Sequence, residues 1–283
     1  MIPRIIILIL SSQGEVYDKL KEYQTNYLNK FVNSNKLANF FFVEFTDTNN
    51  TNNTDTNNTN NTDTNNTNNT DTNNTNNTDT NNTNNTDYVE TTIEKGNTLY
   101  VKGTESINPG MIIKTSEAMK YINNHYDYDF IFRTNLSTFI NVNNLVDFTS
   151  KLSKVNTCAG FSFSGFITGT GIIMSRDVSQ IVAHSYVNFN YNNIHEDVLI
   201  STILGHFKVK YVNPDTDYSW GLIIDNETSD SFPNFIYYTT YGEIKQFDWQ
   251  HNTLHWRIKN GNDRNLDLEY FKMLEHFINS RDL

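Results

Sequence analysis

Ile5-Ile-Ile-Leu-Ile-Leu10 is a run of six apolar residues with no polar residue between them. A strand with one wet face alternates apolar and polar side chains, whereas an uninterrupted run has both faces covered. Ile5 to Leu10 is therefore expected to be a central parallel strand. The turn Ser11-Ser-Gln-Gly14 follows. Glu15 to Phe31 then carries Val16, Leu20, Tyr23, Tyr27, Leu28 and Phe31, spaced mostly by three and four, which describes an amphipathic helix. Ala38 to Phe45 is a second apolar strand. Strand, helix, strand opens a right-handed βαβ unit and points to an α/β fold.

That pattern is interrupted at once. Thr46 to Asn85 is five copies of the octad Thr-Asp-Thr-Asn-Asn-Thr-Asn-Asn. It has no apolar residue to offset the entropy of ordering, so it is expected to be a disordered insertion in a surface loop. Without it the hydrophobic share rises from 37% to about 43%, ordinary for a globular domain. The remaining length suits one domain, taken as residues 1–283 with the octads inserted. Each octad holds two Asn-x-Thr sequons, for example Asn49-Asn-Thr51. Glycosylation there requires a secreted chain, and the segment reads instead as a polar repeat expansion.

Charge and cysteine usage remove several classes. The net charge is −11; the octads supply five of the 32 acids and no base, leaving 27 against 21, or −6. An acidic body lacks the clustered Lys and Arg that neutralise phosphates along a nucleic acid. Cys158 is the single cysteine, which excludes a disulfide framework and a cysteine-built zinc site, and beside Ala159-Gly-Phe161 it reads as a small buried thiol. Ile5 to Leu10 is too short for a secretory or membrane segment. The chain is expected to be soluble and cytoplasmic.

Further along, Thr98 to Val101 reads as a third strand and Asn108-Pro-Gly110 as a turn. Met111 to Asn123 reads as a helix, Tyr128 to Arg133 as a strand, and Asn141 to Leu152 as a helix capped by Asn141. Ala159 to Phe166 is strand-like. Gly169-Thr170-Gly171 then leads into Ile172-Ile-Met174. Ser175-Arg-Asp177 caps a helix through His184, and Ile194-His-Glu-Asp197 opens another, Val198 to Leu204. Phe207 to Val212 is a strand, and Leu266 to Ile278 a last amphipathic helix.

The chemistry concentrates where Asp129-Phe-Ile-Phe-Arg-Thr-Asn-Leu-Ser-Thr-Phe139 runs from a buried strand into a polar elbow. In open α/β sheets ligands sit beyond the carboxyl ends of such strands. Arg133 beside the elbow is a candidate donor contact; it equally suits a structural pair with an acid such as Asp129. Glu196 and Asp197 stand at a helix start, where adjacent side chains point about 100° apart and usually only one faces a site. Acids there also complement the helix dipole. His255-Trp-Arg-Ile-Lys259 alternates, so His255, Arg257 and Lys259 share one face of a strand and could clamp a diphosphate. The same pattern suits a solvated edge. Phe235, Tyr237, Tyr238 and Tyr241 suit either core packing or stacking on a sugar face.

Four segments, in order, resemble the nucleotide-sugar glycosyltransferases of the GT-A fold, in particular the fringe-like β-1,3-glycosyltransferase branch. They are Pro109-Gly-Met-Ile-Ile-Lys-Thr-Ser116, the elbow, Ser164-Gly-Phe-Ile-Thr-Gly-Thr-Gly-Ile-Ile-Met-Ser-Arg-Asp177, and His195-Glu-Asp-Val-Leu-Ile200. Together they span roughly Asn108 to Gly205. The resemblance implies a Rossmann-like three-layer α/β/α sandwich with a continuous central mixed sheet. It implies transfer of a sugar from a nucleotide-diphosphate donor to a glycan or other hydroxyl acceptor. Asp197 would be the base, with Glu196 or His195 positioning substrate, and Gly169, Thr170 and Gly171 would form a glycine turn that lines the acceptor side. Ser11 and Ser12 would meet the nucleotide, while the late cations His255, Arg257 and Lys259 would reach its phosphates. The branch usually holds Mn²⁺ or Mg²⁺ on elbow aspartates. Here Asn135, Leu136 and Ser137 occupy those places, which disfavours a metal. Ser201 stands where the family pattern has a glycine. Two rival expectations are a related domain that binds a nucleotide sugar or glycan without turnover, and a nucleotidyltransferase. The second is disfavoured because Ser11-Ser-Gln-Gly14 has one glycine and no base.

Overall fold

A computed structural model of the chain describes residues 2–46, 91–163, 165–212, 218–224, 236–239, 253–259 and 264–280. The octads, but for Thr46, lie outside the described residues, as do Phe235, Tyr241 and the side chains of Tyr237, Tyr238 and Lys259.

The opening run is strand β1 (Ile5–Leu10), buried at every position. Helix α1 (Glu15–Asn33) and strand β2 (Asn39–Phe45) follow, and β2 pairs with β1 in parallel. Two short strands, β3 (Thr92–Lys95) and β4 (Thr98–Val101), form a hairpin about Gly96, and β4 adds in parallel to β2. Helix α2 (Gly110–His125) leads into β5 (Phe130–Asn135), which pairs with β1 in parallel. Past the elbow come β6 (Thr138–Ile140) and α3 (Val142–Ser150), where the Asn141 side chain accepts from the Asn144 amide at 3.2 Å as the expected cap.

Next are β7 (Thr157–Phe163), β8 (Phe166–Ser175), α4 (Arg176–Ser185), α5 (Glu196–His206) and β9 (Lys210–Val212). The chain closes with β10 (Ser219–Ile224), β11 (Ile236–Thr239), β12 (Thr253–Lys259) and α6 (Asn265–Asn279). The architecture is α/β, built on a mixed eight-stranded sheet of order β3-β4-β2-β1-β5-β8-β7-β9.

Strand alternation divides the core. Ile5, Ile7, Ile9, Phe130 and Phe132 pack toward α1, α3, α6 and strands β6 and β12. Ile6, Leu8, Leu10 and Ile131 pack toward α2, α4 and α5. Among the described residues no helix is long and apolar enough to cross a membrane.

Three expectations are corrected. The sheet is not continuous: β11-β10-β12-β6 form a second sheet of four strands. The elbow turns the chain off β5, and β6 pairs instead with β12, antiparallel. Gly169-Thr170-Gly171 is not a turn but lies within β8. The turn is at Gly165 (φ +86°), and β7 and β8 form a hairpin around it. Gly171 is needed in the strand because the Phe132 and His255 rings close over it. A Cβ there would lie 2.6 Å from His255 Cε1 and 2.8 Å from Phe132 Cε2. Finally, the expected strand from Phe207 begins only at Lys210, after Lys208 takes a positive φ of 53°.

Candidate functional site

The carboxyl ends of the parallel strands β1, β2 and β5 open on one edge of the sheet, where α2, β8 and α5 also bring polar groups. Arg133 sits on the α2 and α5 face of β5 and is 1% exposed. A buried guanidinium needs a paired acid and filled hydrogen-bond positions. Glu196, the first residue of α5 and 7% exposed, supplies the acid. Arg133 Nε donates to Glu196 Oε1 at 3.0 Å, and Nη2 donates to Oε2 in a forked pair. Arg133 Nη1 donates to the Gly169 carbonyl at 2.5 Å. From α2, the Thr115 hydroxyl donates to Glu196 Oε1. Burial pushes the Glu196 carboxyl upward, opposed by Arg133 and Thr115.

Asp197 lies one step along the helix and is half-buried, so of the two adjacent acids one points inward and one stays accessible. Its Oδ2 accepts from the Gly169 amide at 3.1 Å and its Oδ1 from the Val198 amide at 2.9 Å. Asn135 Nδ2 donates to the Gly169 carbonyl at 2.8 Å, and Thr134 donates to the Thr170 carbonyl at 2.9 Å. The Gly169 peptide is thus gripped at both ends, its N–H by Asp197 and its C=O by Arg133 and Asn135. His195 is exposed at the helix start.

A second group gathers at the ends of β1 and β2. Lys114, 1% exposed, donates to the Ser11 carbonyl at 2.7 Å and to both oxygens of Glu105 at 2.8 Å. Ser12 donates to Glu105 Oε1 at 3.1 Å. Ser11 Oγ lies 3.4 Å from Glu44 Oε1, which also accepts from Lys21 at 2.6 Å. Because Lys114 and Thr115 are successive residues of α2, that helix joins the two groups.

The third group lies beyond the elbow. Arg257 of β12 donates to the Ser137 hydroxyl. Burial, aided by Arg264, brings Arg257 down to about 10, so it is still a cation at neutral pH. His255 is fully buried, its ring 5.6 Å from that of Phe132, and burial followed by Arg257 lowers it to about 3.

These placements revise several expected roles. Arg133 is committed to Glu196, and Asp129 instead accepts from the Arg4 amide at 2.8 Å and Lys154 at 2.9 Å. His255 is neutral, so the β12 face does not offer three cations; Arg257 is its described charge, and the Lys259 side chain lies outside the description. Ser11 presents its carbonyl to Lys114 and its hydroxyl toward Glu44. Lys114, Thr115, Glu105 and Glu44 are the charged and polar groups of this edge that residue spacing does not single out. The available signals were Glu44, the lone polar residue among Phe40 to Phe45, and Lys114, which follows the apolar Met111-Ile-Ile113.

The elbow does not suit a divalent cation. Asn135 uses its amide on Gly169, Ser137 receives Arg257, and neither brings the negative charge such an ion favours. Among the described residues no three His, Cys, Asp or Glu side chains come together in a metal-binding group. No protein-family model matches this chain, and no curated protein does either.

Proposed function

We propose that the chain is a cytoplasmic glycosyltransferase of the GT-A fold, moving a sugar from a nucleotide-diphosphate donor to a hydroxyl acceptor with inversion. One observation carries this. The four segments that resemble such enzymes are separate in sequence, yet Thr115, Arg133 with Asn135, Gly169, and Glu196 with Asp197 join in one hydrogen-bonded cluster at the carboxyl edge of the sheet. Ligands of open α/β sheets bind at that edge.

In this reading Asp197 is the base. It takes the acceptor proton as the acceptor oxygen bonds to the anomeric carbon, and the bond from that carbon to the diphosphate oxygen breaks with its electron pair. The Gly169 amide and the helix start hold the Asp197 carboxylate in place. Glu196 is a positioning residue, since its carboxylate is spent on Arg133. Arg257, the guanidinium beside Ser137, is a cation suited to the departing negative charge.

A second reading has its own support. The cluster is satisfied within the protein, and Asn135 and Ser137 bring no charge, which suits a domain that binds a nucleotide sugar or glycan without turnover. One experiment separates the two. Nucleotide sugars are tested for donor hydrolysis and for binding by calorimetry, each with Mn²⁺ and with EDTA, on the native chain and on Asp197→Asn. Turnover by the native chain, lost at least 100-fold in Asp197→Asn while donor binding persists, is expected. Binding without turnover in the presence of active acceptors would favour the second reading. No binding to any donor would sink both.

A further inference from the structure

Lys114 is a buried cation that the proposed reaction does not use. Its side chain is 1% exposed, and its ammonium lies 4.8 Å from the centre of the Phe45 ring and is compensated by one carbonyl and one carboxylate. A buried charge is tolerated only with such compensation. The carboxylate comes from an unusual place. Glu105 stands on the connection between β4 and α2, and its side chain is 39% exposed. A fixed, buried cation therefore depends on an anion that reaches in from the surface. Glu105 also collects the hydroxyl of Ser12. One carboxylate thus takes three donor contacts at the carboxyl end of β1, two from Lys114 and one from Ser12.

We infer that Glu105 is a resident anion covering a phosphate-binding site built from Lys114 Nζ and the Ser12 hydroxyl, and that an incoming phosphate or diphosphate displaces it. A free carboxylate would only repeat what Glu105 supplies from within the chain, at higher effective concentration. A diphosphate carries more charge and more acceptor oxygens, so it can outcompete the resident group. The contact is autoinhibitory in the plain sense that site and plug share the same donors. Glycosyl transfer is not needed for it, since any phosphate-bearing ligand at this edge would serve.

The test is binding of inorganic pyrophosphate to the full chain, followed by calorimetry without any sugar donor. Glu105→Ala removes the plug, and Glu105→Ala with Lys114→Met removes the site as well. Glu105→Ala is expected to bind pyrophosphate at least tenfold more tightly than the native chain, and the double variant at least tenfold more weakly than Glu105→Ala. Acetate serves as the carboxylate control and should bind Glu105→Ala more weakly than pyrophosphate does. Equal affinity in the native chain and Glu105→Ala, no binding by Glu105→Ala, or retention of its affinity by the double variant would overturn the assignment. Should Glu105→Ala fail to fold, Glu105→Gln is read against the native chain on the same criterion, because it releases the Lys114 charge while keeping the side chain's length.

Discussion

At the scale of single residues, two neighbouring carboxylates have opposite fates. Glu196 is buried against Arg133, while Asp197 keeps an accessible side. Replacing Glu196 by Ala leaves a guanidinium in the interior with the Gly169 carbonyl as its remaining described partner. Breaking a buried pair on one side costs about 3–5 kcal/mol, so Glu196→Ala should lower urea-unfolding stability by that order. Arg133→Met combined with Glu196→Ala should recover much of the loss, because both charges are gone. If the double variant were no more stable than Glu196→Ala alone, the pair would not be the cause. The forked geometry was not legible in the sequence. Arg133 and Glu196 are separated by 63 residues, no local spacing links them, and Asp129 is nearer along the chain.

At the scale of elements, α6 docks on α1 through Glu275. Its carboxylate accepts from Lys30 at 2.6 Å and from the Tyr23 hydroxyl. Burial pushes this carboxyl upward, but Lys30 and Tyr23 outweigh burial and hold it below its ordinary 4.5. A carboxylate held low in the folded state stabilises that state fully above the unfolded value, and the contribution is lost as pH falls through the folded one. The stability difference between the native chain and Glu275→Gln should therefore be constant above about pH 5 and shrink below 4.5. Chemical unfolding from pH 3 to 7 measures it, and a difference that grew with acid would contradict the clasp. The helices themselves were legible: α1, α2, α3 and α6 each extend or shorten the expected segment by a few residues, because an apolar face repeating every three to four residues is a local property. The second sheet was not. Its strand β6 pairs with β12 more than a hundred residues later, and three residues carry too short a pattern to announce a strand.

For the whole molecule, the octads fall in the sequence between two strands of the same sheet. Strand β2 ends at Phe45, β3 begins at Thr92, and the hairpin they reach is pinned by pairing of β4 on β2. Deleting Thr46 to Asn85 should leave the melting temperature within a few degrees and leave any donor binding unchanged. A loss of ten degrees or more in thermal unfolding would mean that the repeats contribute to the fold. The α/β class and the edge that gathers the polar groups were legible from Ile5 to Leu10 and from the elbow, since burial on both faces and a sudden polar turn are written into consecutive residues. What could not be read was where distant cations find their anions: Arg133 with Glu196, and Lys21 with Glu44, meet only once the strands are aligned.

The parallel seam between β2 and β4 closes across the repeats, whereas the β7 and β8 hairpin closes over a single glycine turn. The two joins should therefore form on different clocks. The hairpin has almost no chain to gather, while the seam must first bring together ends separated by the whole insertion. Each doubling of that length adds only about 0.6 kcal/mol of closure entropy. Copy number thus becomes a fine adjustment of folding speed: chains with more octads should refold somewhat more slowly, and the native sheet they reach should be the same.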